Sequence, residues 1–408
     1  FYDTDIGNYY YGCSHPMKPH RIRMAHSLLQ SYDLLSSLEY VQNPVLPNVE
    51  EHFSKFHTDD YVDFLKQVSP ENVNDYLDLI VGFNLGEDCP VFEGMYDFCK
   101  KYTAGSILAA TYINEQRAHY AINWAGGLHH AKEQEASGFC YINDCVLSIL
   151  ELLRTHHRVC YIDIDIHHGD GVEEAFYTTD RVMFCSFHKF GNYFPDTGYF
   201  TDTGYGKGDG YSVNFPLFEG MDDESFEYVY KPVLNEIMNC YQPTAIVLQC
   251  GADSLSGDRL GCFNLSVKGH GSCVEYVKSF GIPILCLGGG GYTLRNVARC
   301  WAYETSVLAG VEVPNEIPEH DEYRGYYGPE YKLNASISNM ENMNSKEYLR
   351  RNTELLVTAI RQKVHAVSPH ISNYSLHNLS NTVNPLFSRE GQRIQAEVSQ
   401  DANPDFRY

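Results

Sequence analysis

Two kinds of apolar pattern alternate along this chain. Short, largely apolar runs, at residues 121–124, 182–188, 244–249 and 282–287, read as strands covered on both faces. Residues 21–35, 94–114, 143–154, 267–280 and 293–308 read as helices between them. Thr58 stands where an N-cap would open another helix, over 58–68. Residues 1–6 read as a first strand. Residues 158–166 differ from the other strands. There β-branched and aromatic residues alternate with acids, so Asp163, Asp165 and His167 share one face and Ile162, Ile164 and Ile166 the other. The strands run out into loops bearing glycine or histidine, at 125–130, 169–171, 191–210, 250–253 and 288–292. Strand, loop and helix in repetition predict an α/β fold with a mostly parallel sheet flanked by helices. Nothing interrupts the pattern before residue 310, so 1–310 is expected to be one domain. A more polar extension, 311–364, is expected to end in a helix over 345–364 and to pack on that domain. Residues 365–408 lack apolar periodicity and read as a polar, partly disordered tail.

Composition narrows the function. Of 408 residues 43% are hydrophobic, ample for a core. The net charge of −23 argues against direct nucleic-acid binding, which needs a basic surface, and suits a basic partner or substrate. Thirteen scattered cysteines without a CxxC pair read as reduced thiols of a cytosolic or nuclear protein. No apolar run approaches membrane-spanning length, and no signal peptide is expected. Against the acidic background, Lys18, His20, Arg21 and Arg23 form a positive cluster, either a solvated helix start or an anion site.

The strand ends carry the chemistry. In a parallel sheet Asp163, Asp165 and His167, then Asp253, then His129 and His130, then Tyr292 would all fall on one edge, where open α/β sheets place ligands. Buried charges need partners or a metal. Asp165, His167 and Asp253 offer two carboxylates and one imidazole. Three protein ligands leave a position for water or substrate, as catalytic zinc sites do; manganese and iron(II) also suit the donor types. His129 and His130 are candidates for general acid and base, each needing a carboxylate on its other nitrogen, for which Asp163 and Asp170 are available. Tyr292, after four glycines, is placed to hydrogen-bond an oxyanion. Neither a Walker pattern nor GxSxG occurs.

With these residues laid out, the chain resembles the class I histone deacetylases, zinc hydrolases of the arginase/deacetylase fold. The resemblance rests on the motifs at residues 12–21, 126–131, 138–141, 163–171, 253–261 and 288–292. It implies a central eight-stranded sheet. It implies hydrolysis of N-acetyl-lysine on acetylated histone tails, repression of transcription within a corepressor complex, and a nuclear location with the cytoplasm as a second compartment. Asp165, His167 and Asp253 match the zinc ligands. His130 matches the general base and acid, oriented by Asp170. His129 matches its partner, paired with Asp163, and Tyr292 matches the oxyanion donor. Gly138, Phe139, Phe194 and Leu260 match the acetyl-lysine tunnel, and Asp88 matches an acid at its rim.

The resemblance further implies two structural potassium ions. One matches Asp163, Asp165, Ser186 and the carbonyls of His167 and Phe187; the other matches Phe176, Thr179, Val182 and Tyr211. Lys18, Arg259 and Arg295 match residues that hold an inositol phosphate between enzyme and corepressor. Cys13-Ser14 and Phe184-Cys185 depart from the commonest family pattern. Two other functions fit parts of the same residue set: a non-catalytic corepressor scaffold and a binuclear manganese ureohydrolase.

Overall fold

The structure, a computed structural model, describes residues 1–366; the tail expected over 365–408 lies outside the described residues from 367 onward. Six strands form one sheet: β1 (Tyr120–Asn123), β2 (Val159–Asp163), β3 (Val182–Lys189), β4 (Ser212–Leu217), β5 (Ala245–Gln249) and β6 (Ile284–Leu287). Every pairing is parallel, in the order β1-β6-β5-β2-β3-β4. All residues of β2 to β6 are buried, as parallel strands covered on both faces must be.

The expected eight strands are corrected to six among the described residues. Residues 1–6 do not form a strand: Tyr2 makes one isolated bridge to Gln42, and the chain then turns through a 3-10 segment, Ile6–Asn8. At the opposite edge, beyond β4, the Asn344 side-chain amide accepts from Phe218 N at 2.8 Å and donates to Phe218 O at 2.9 Å. A strand needs successive backbone pairs along its length, and neither stretch supplies them.

The helices among the described residues are α1 (His20–Ser31), α2 (Val49–Phe53), α3 (Asp59–Gln67), α4 (Leu77–Gly82), α5 (Met95–Asn114), α6 (Asp144–Leu152), α7 (Asp170–Phe176), α8 (Asp223–Tyr241), α9 (Val267–Ser279), α10 (Leu294–Ala309) and α11 (Lys346–Lys363). They pack in two series. One runs α1, α10, α9, α8 and α11; the other joins α2 and α3 to α5, then α6 and α7. Side-chain caps start several of them: Asn143, Asp222, Ser266 and Ser345 each accept a backbone N–H of the first turn. Thr58 precedes α3 in extended conformation but makes no such bond. The sequence pattern passed over β4 and α8. α8 carries Pro232 in its interior, where proline ordinarily argues against a helix.

Strand order places the site. The chain runs outward from β2 through β3 to β4, then returns to the other side of β2 with β5 and β6. β2 and β5 are therefore the neighbours where connections part in opposite directions, and their C-terminal ends open the crevice. The register is level there, with Asp163 beside both Ser186 and Gln249, and Gln249 beside Leu287.

Candidate metal and acid–base site

β2 ends at Asp163, earlier than the alternation over 158–166 implies. The acids cause the break. Asp163 Oδ1 accepts from Asp165 N at 3.1 Å, and Asp165 Oδ1 from His167 N at 3.0 Å. Each carboxylate caps the backbone two residues on, which competes with the ladder. Asp165 and His167 thus leave the strand in a tight turn. Asp253, from the loop after β5, closes it by accepting from Ile166 N at 3.0 Å.

This turn brings three ligand-type atoms together. His167 Nδ1 lies 3.2 Å from Asp165 Oδ1 and 3.1 Å from Asp253 Oδ2, and the donor atoms of all three residues fall within 4.8 Å of one another. All three side chains are buried. The backbone around them leaves no spare room: a Cβ on Gly251 would sit 1.9 Å from Asp165 Oδ2, and one on Gly290 1.9 Å from Asp253 Oδ2. Burial and then the neighbouring Asp165 push Asp253 up to about 7. His167 is pushed up to about 10, burial being outweighed by hydrogen bonds to Asp165 and Asp253. Two buried carboxylates and one imidazole nitrogen, crowded together, fit a divalent cation.

Beside them stand two His–Asp pairs. His129 Nδ1 lies 2.7 Å from Asp163 Oδ2, which also accepts from Tyr161 Oη at 2.6 Å. His130 Nδ1 lies 2.7 Å from Asp170 Oδ1, and Lys132 Nζ donates to Asp170 Oδ2 at 2.5 Å. The rings of the two histidines are 4.0 Å apart. Their protonation diverges. Asp163 and Asp165 outweigh burial and push His129 up to about 9; burial and then the charge of His129 push His130 down to about 3. Lys132, then His130, hold Asp170 well below the usual carboxylate range against the effect of burial.

Tyr292 follows the glycines after β6, its ring 6.5 Å from that of His167 and 5.7 Å from that of Phe139. Burial raises its phenol well above the ordinary value, so it stays a proton donor. Phe194 packs on His130 at 4.9 Å and on His167 at 6.1 Å. Gly138 lies between them: a Cβ there would be 2.4 Å from His130 Cδ2 and 2.8 Å from Phe194 Cε1. Gly138, Phe139 and Phe194 therefore pack around His130, His167 and Tyr292. Tyr193 stacks on His167 at 5.0 Å and donates to Leu260 O at 3.0 Å, which leaves the exposed Leu260 side chain at the outer edge.

The remaining sequence candidates make other contacts. Asp88 is exposed, its carbonyl 3.1 Å from His15 Nε2. Arg259 and Arg295 are exposed. Lys18 Nζ donates to Gly12 O at 2.6 Å and Cys13 O at 3.1 Å. Ser186 lies beside Asp163 across the β2–β3 register, its hydroxyl 2.8 Å from His188 Nδ1, and Phe187 follows it, fully buried. Phe176, Thr179 and Val182 mark the turn from α7 into β3, where Thr179 N donates to Phe176 O at 3.2 Å. Tyr211 precedes β4, and its hydroxyl donates to His365 O at 3.3 Å.

Three residues that act on the site were missed as such. Gln249 Nε2 donates to Asp165 Oδ2 at 2.8 Å, and a polar end on an apolar strand was its only signal. Lys132, a cation two residues past His130 in the sequence, holds the Asp170 carboxylate. Arg21 was counted in the positive cluster as a helix start or anion site. It is buried, donating to Gly291 O at 2.7 Å and Gly289 O at 2.5 Å. His270, Cys300 and Glu304 form a second buried group with metal-ligand atoms in reach. That ring is already engaged on both nitrogens, 2.5 Å from Glu304 Oε1 and 3.0 Å from Gly251 O.

A parallel α/β sheet whose switch point brings together three candidate cation ligands, two His–Asp pairs and a buried phenol suits a metal-assisted hydrolase. Residues 15–308 match the histone deacetylase domain family. The chain is 59% identical over 366 residues to histone deacetylase 1 of Homo sapiens, covering 90% of this chain and 75% of that protein. It is 58% identical over 366 residues to histone deacetylase HDAC1 of Drosophila melanogaster, covering 90% of this chain and 70% of that protein. It is 55% identical over 382 residues to type-1 histone deacetylase 1 of Dictyostelium discoideum, covering 92% and 77%. The chain belongs to the histone deacetylase family and is a hydrolase of that kind. The scaffold and manganese ureohydrolase alternatives find no support in these relatives.

Proposed function

We propose that the chain hydrolyses the acetyl amide of N-acetyl-lysine in histone tails, releasing acetate and lysine. The observation that carries this reading is the pair of adjacent buried histidines, each with Nδ1 2.7 Å from its own aspartate, beside three buried candidate cation ligands. Asp165, His167 and Asp253 would hold zinc. Zinc bound there supplies a Lewis acid for the amide carbonyl and lowers the pKa of a coordinated water. Asp170 accepts from His130 Nδ1, which keeps Nε2 free to take a proton from the attacking water. His130 then returns that proton to the leaving nitrogen, so the amine departs neutral and no amide anion is expelled. Tyr292 donates to the oxygen that gains negative charge. His129, kept cationic by Asp163, adds positive potential beside it.

Gly138, Phe139 and Phe194 give an apolar passage for the neutral acetylated side chain, with Leu260 at its mouth and Asp88 at the rim to accept from the substrate backbone. The acidic surface attracts lysine-rich tails, an attraction that salt weakens. In the same reading residues 1–310 are the catalytic domain and 311–364 an extension upon it. Potassium occupies the Asp163/Ser186/Phe187 site and the Phe176/Thr179/Val182/Tyr211 site. Lys18, Arg259 and Arg295 bind an inositol phosphate shared with a corepressor subunit, and the protein represses transcription in the nucleus, with a cytoplasmic pool.

The test is deacetylation of an acetyl-lysine peptide with and without chelator and a corepressor fragment. Turnover that chelator abolishes and zinc restores is expected. Tyr292→Phe should retain zinc and lose at least about 100-fold in kcat, the range for removal of an oxyanion donor. Unchanged turnover by that variant would remove Tyr292 from the mechanism.

A further inference from the structure

One half-buried carboxylate outside the cation site has no part in the chemistry above, yet it joins two elements that do. Asp258 Oδ1 accepts from Leu260 N at 2.9 Å and from Gly261 N at 3.0 Å. Its other oxygen, Oδ2, accepts from Tyr292 N at 2.7 Å and from Thr293 N at 3.2 Å. Four backbone donors thus converge on one side chain, two from the turn at the passage mouth and two from the start of α10. The α10 N-cap, Thr293, makes no capping bond with its own side chain. Its hydroxyl instead donates to Gly257 O at 2.9 Å, and Asn296 Nδ2 donates to Ser256 O at 3.2 Å. The 256–261 turn is laid across the first turn of the helix, and Asp258 supplies the anion that the helix start lacks.

We infer that Asp258 is a positioning residue for the deacetylation reaction: it fixes the backbone of Tyr292, and through it the phenol, relative to the cation site. Arg21 holds the carbonyls of Gly289 and Gly291 on the N-terminal side of Tyr292, and Asp258 holds the amides of Tyr292 and Thr293. Gly290, between Gly289 and Gly291, is pinned as well, its N donating to Asp165 Oδ2 at 2.8 Å and its O accepting from Ala252 N at 2.9 Å, so Asp258 adds the hold on the C-terminal side of Tyr292. A carboxylate is required because all four partners are donors. An asparagine would keep one accepting oxygen and turn an NH2 against two N–H groups. The same carboxylate holds Leu260 N, so the mouth of the passage and the phenol move as one body. This inference rests on the reading of Tyr292 as the oxyanion donor.

The test is a double-mutant cycle in the full zinc-loaded chain, purified from eukaryotic cells so that partners accompany it. Asp258→Asn, Tyr292→Phe and the double variant are compared for kcat, KM, zinc per chain and melting temperature. Asp258→Asn is expected to lower kcat about 30-fold, with KM within about 3-fold and zinc unchanged, as loss of a transition-state contact requires. Tyr292→Phe added to it should cost less than about 3-fold beyond Tyr292→Phe alone, since both act on one contact. Multiplicative losses, or kcat for Asp258→Asn within 3-fold of wild type, would overturn the inference. Should Asp258→Asn fail to hold zinc, Asp258→Glu keeps the charge, displaces the oxygens, and is judged by the same cycle. Full activity of Tyr292→Phe would instead sink the oxyanion reading beneath it, and the two failures are told apart by that single variant.

Discussion

His129 and His130 are adjacent in sequence, both buried, and each has Nδ1 2.7 Å from an aspartate, yet their surroundings push their pKa values in opposite directions. The difference lies in how much each aspartate is shared. Around His129, Asp163 is joined by Asp165, whose Oδ2 is 3.8 Å from Nε2, so two acids favour the imidazolium. Around His130, Asp170 divides its charge with Lys132, and the cationic neighbour repels a second proton. A charged and a neutral histidine side by side let one supply positive potential while the other moves protons.

The largest expected effect is on the neutral member. His130→Ala should lower kcat by about 1000-fold, within the range for loss of a positioned acid–base group. His129→Ala should lose about 10-fold to 30-fold, because a charge beside the reacting centre is removed but not the proton carrier. Steady-state kinetics at saturating peptide measures both. Equal losses would break the division of roles, and a larger loss for His129→Ala would reverse it.

Next come the two aspartates. Asp170→Asn should cost about 100-fold in kcat, since an amide no longer selects the tautomer that leaves His130 Nε2 free. Asp163→Asn should cost less, about 10-fold, by discharging His129. Zinc content separates an acid–base effect from a collapsed cation site, because Asp163 also caps the turn that carries Asp165. Loss of zinc in Asp163→Asn alone would show that its main task is to shape that turn.

This contrast also explains what could be read in advance. The sequence placed Asp163, Asp165, His167, Asp170 and Asp253 near one another, because acids and imidazoles at the ends of apolar strands must find partners. Residues in separate loops were grouped for the same reason. What escaped were contacts whose residue types carry no such demand. Gln249 and Asp258 look ordinary in sequence, and only the fold shows which carboxylate or amide each meets. The sheet was misjudged at its edges, where one bridge or one asparagine amide takes the place of a ladder. The pattern over 158–166 predicted one continuous strand, but carboxylates that cap their own backbone end it at Asp163. That turn brings Asp165 and His167 into line with Asp253.

Lys132 sharpens the comparison at smaller cost. Its ammonium, bonded to Asp170 and 2.9 Å from Glu174 Oε1, is what makes the His130 corner differ from the His129 corner. Lys132→Met should reduce kcat about 10-fold with KM unchanged, by letting the Asp170 carboxylate turn away from His130. Lys132→Arg should recover most of that loss, since it restores a cation on the same oxygen. A methionine variant as active as wild type would mean that the Asp170–His130 bond needs no support.

A third buried histidine tests whether burial alone can hold an imidazole neutral. Among the described residues no carboxylate pairs with His57: Nδ1 faces Glu133 O at 3.2 Å, and Nε2 accepts from Asn143 N at 3.0 Å. Asn143 Nδ2 in turn donates to His129 O at 3.1 Å and Ala131 O at 2.9 Å, so His57 underpins the loop that carries both active histidines. Burial pushes His57 down to about 3, while the unfolded chain would hold it at 6.5. The unfolded state therefore binds the extra proton first as pH falls. The stabilisation is complete above pH ~6.5 and is lost progressively down to pH ~3, at about 1.4 kcal/mol per pH unit. His57→Gln can accept from Asn143 N and donate to Glu133 O without titrating. Its stability should fall less steeply than wild type between pH 6 and 4 in denaturant titrations, by roughly 1 kcal/mol per unit, with kcat at pH 8 within about 3-fold. Parallel pH profiles for the two proteins would mean that the imidazole accepts a proton in the fold after all, and that the neutrality of His130 requires its cationic neighbour.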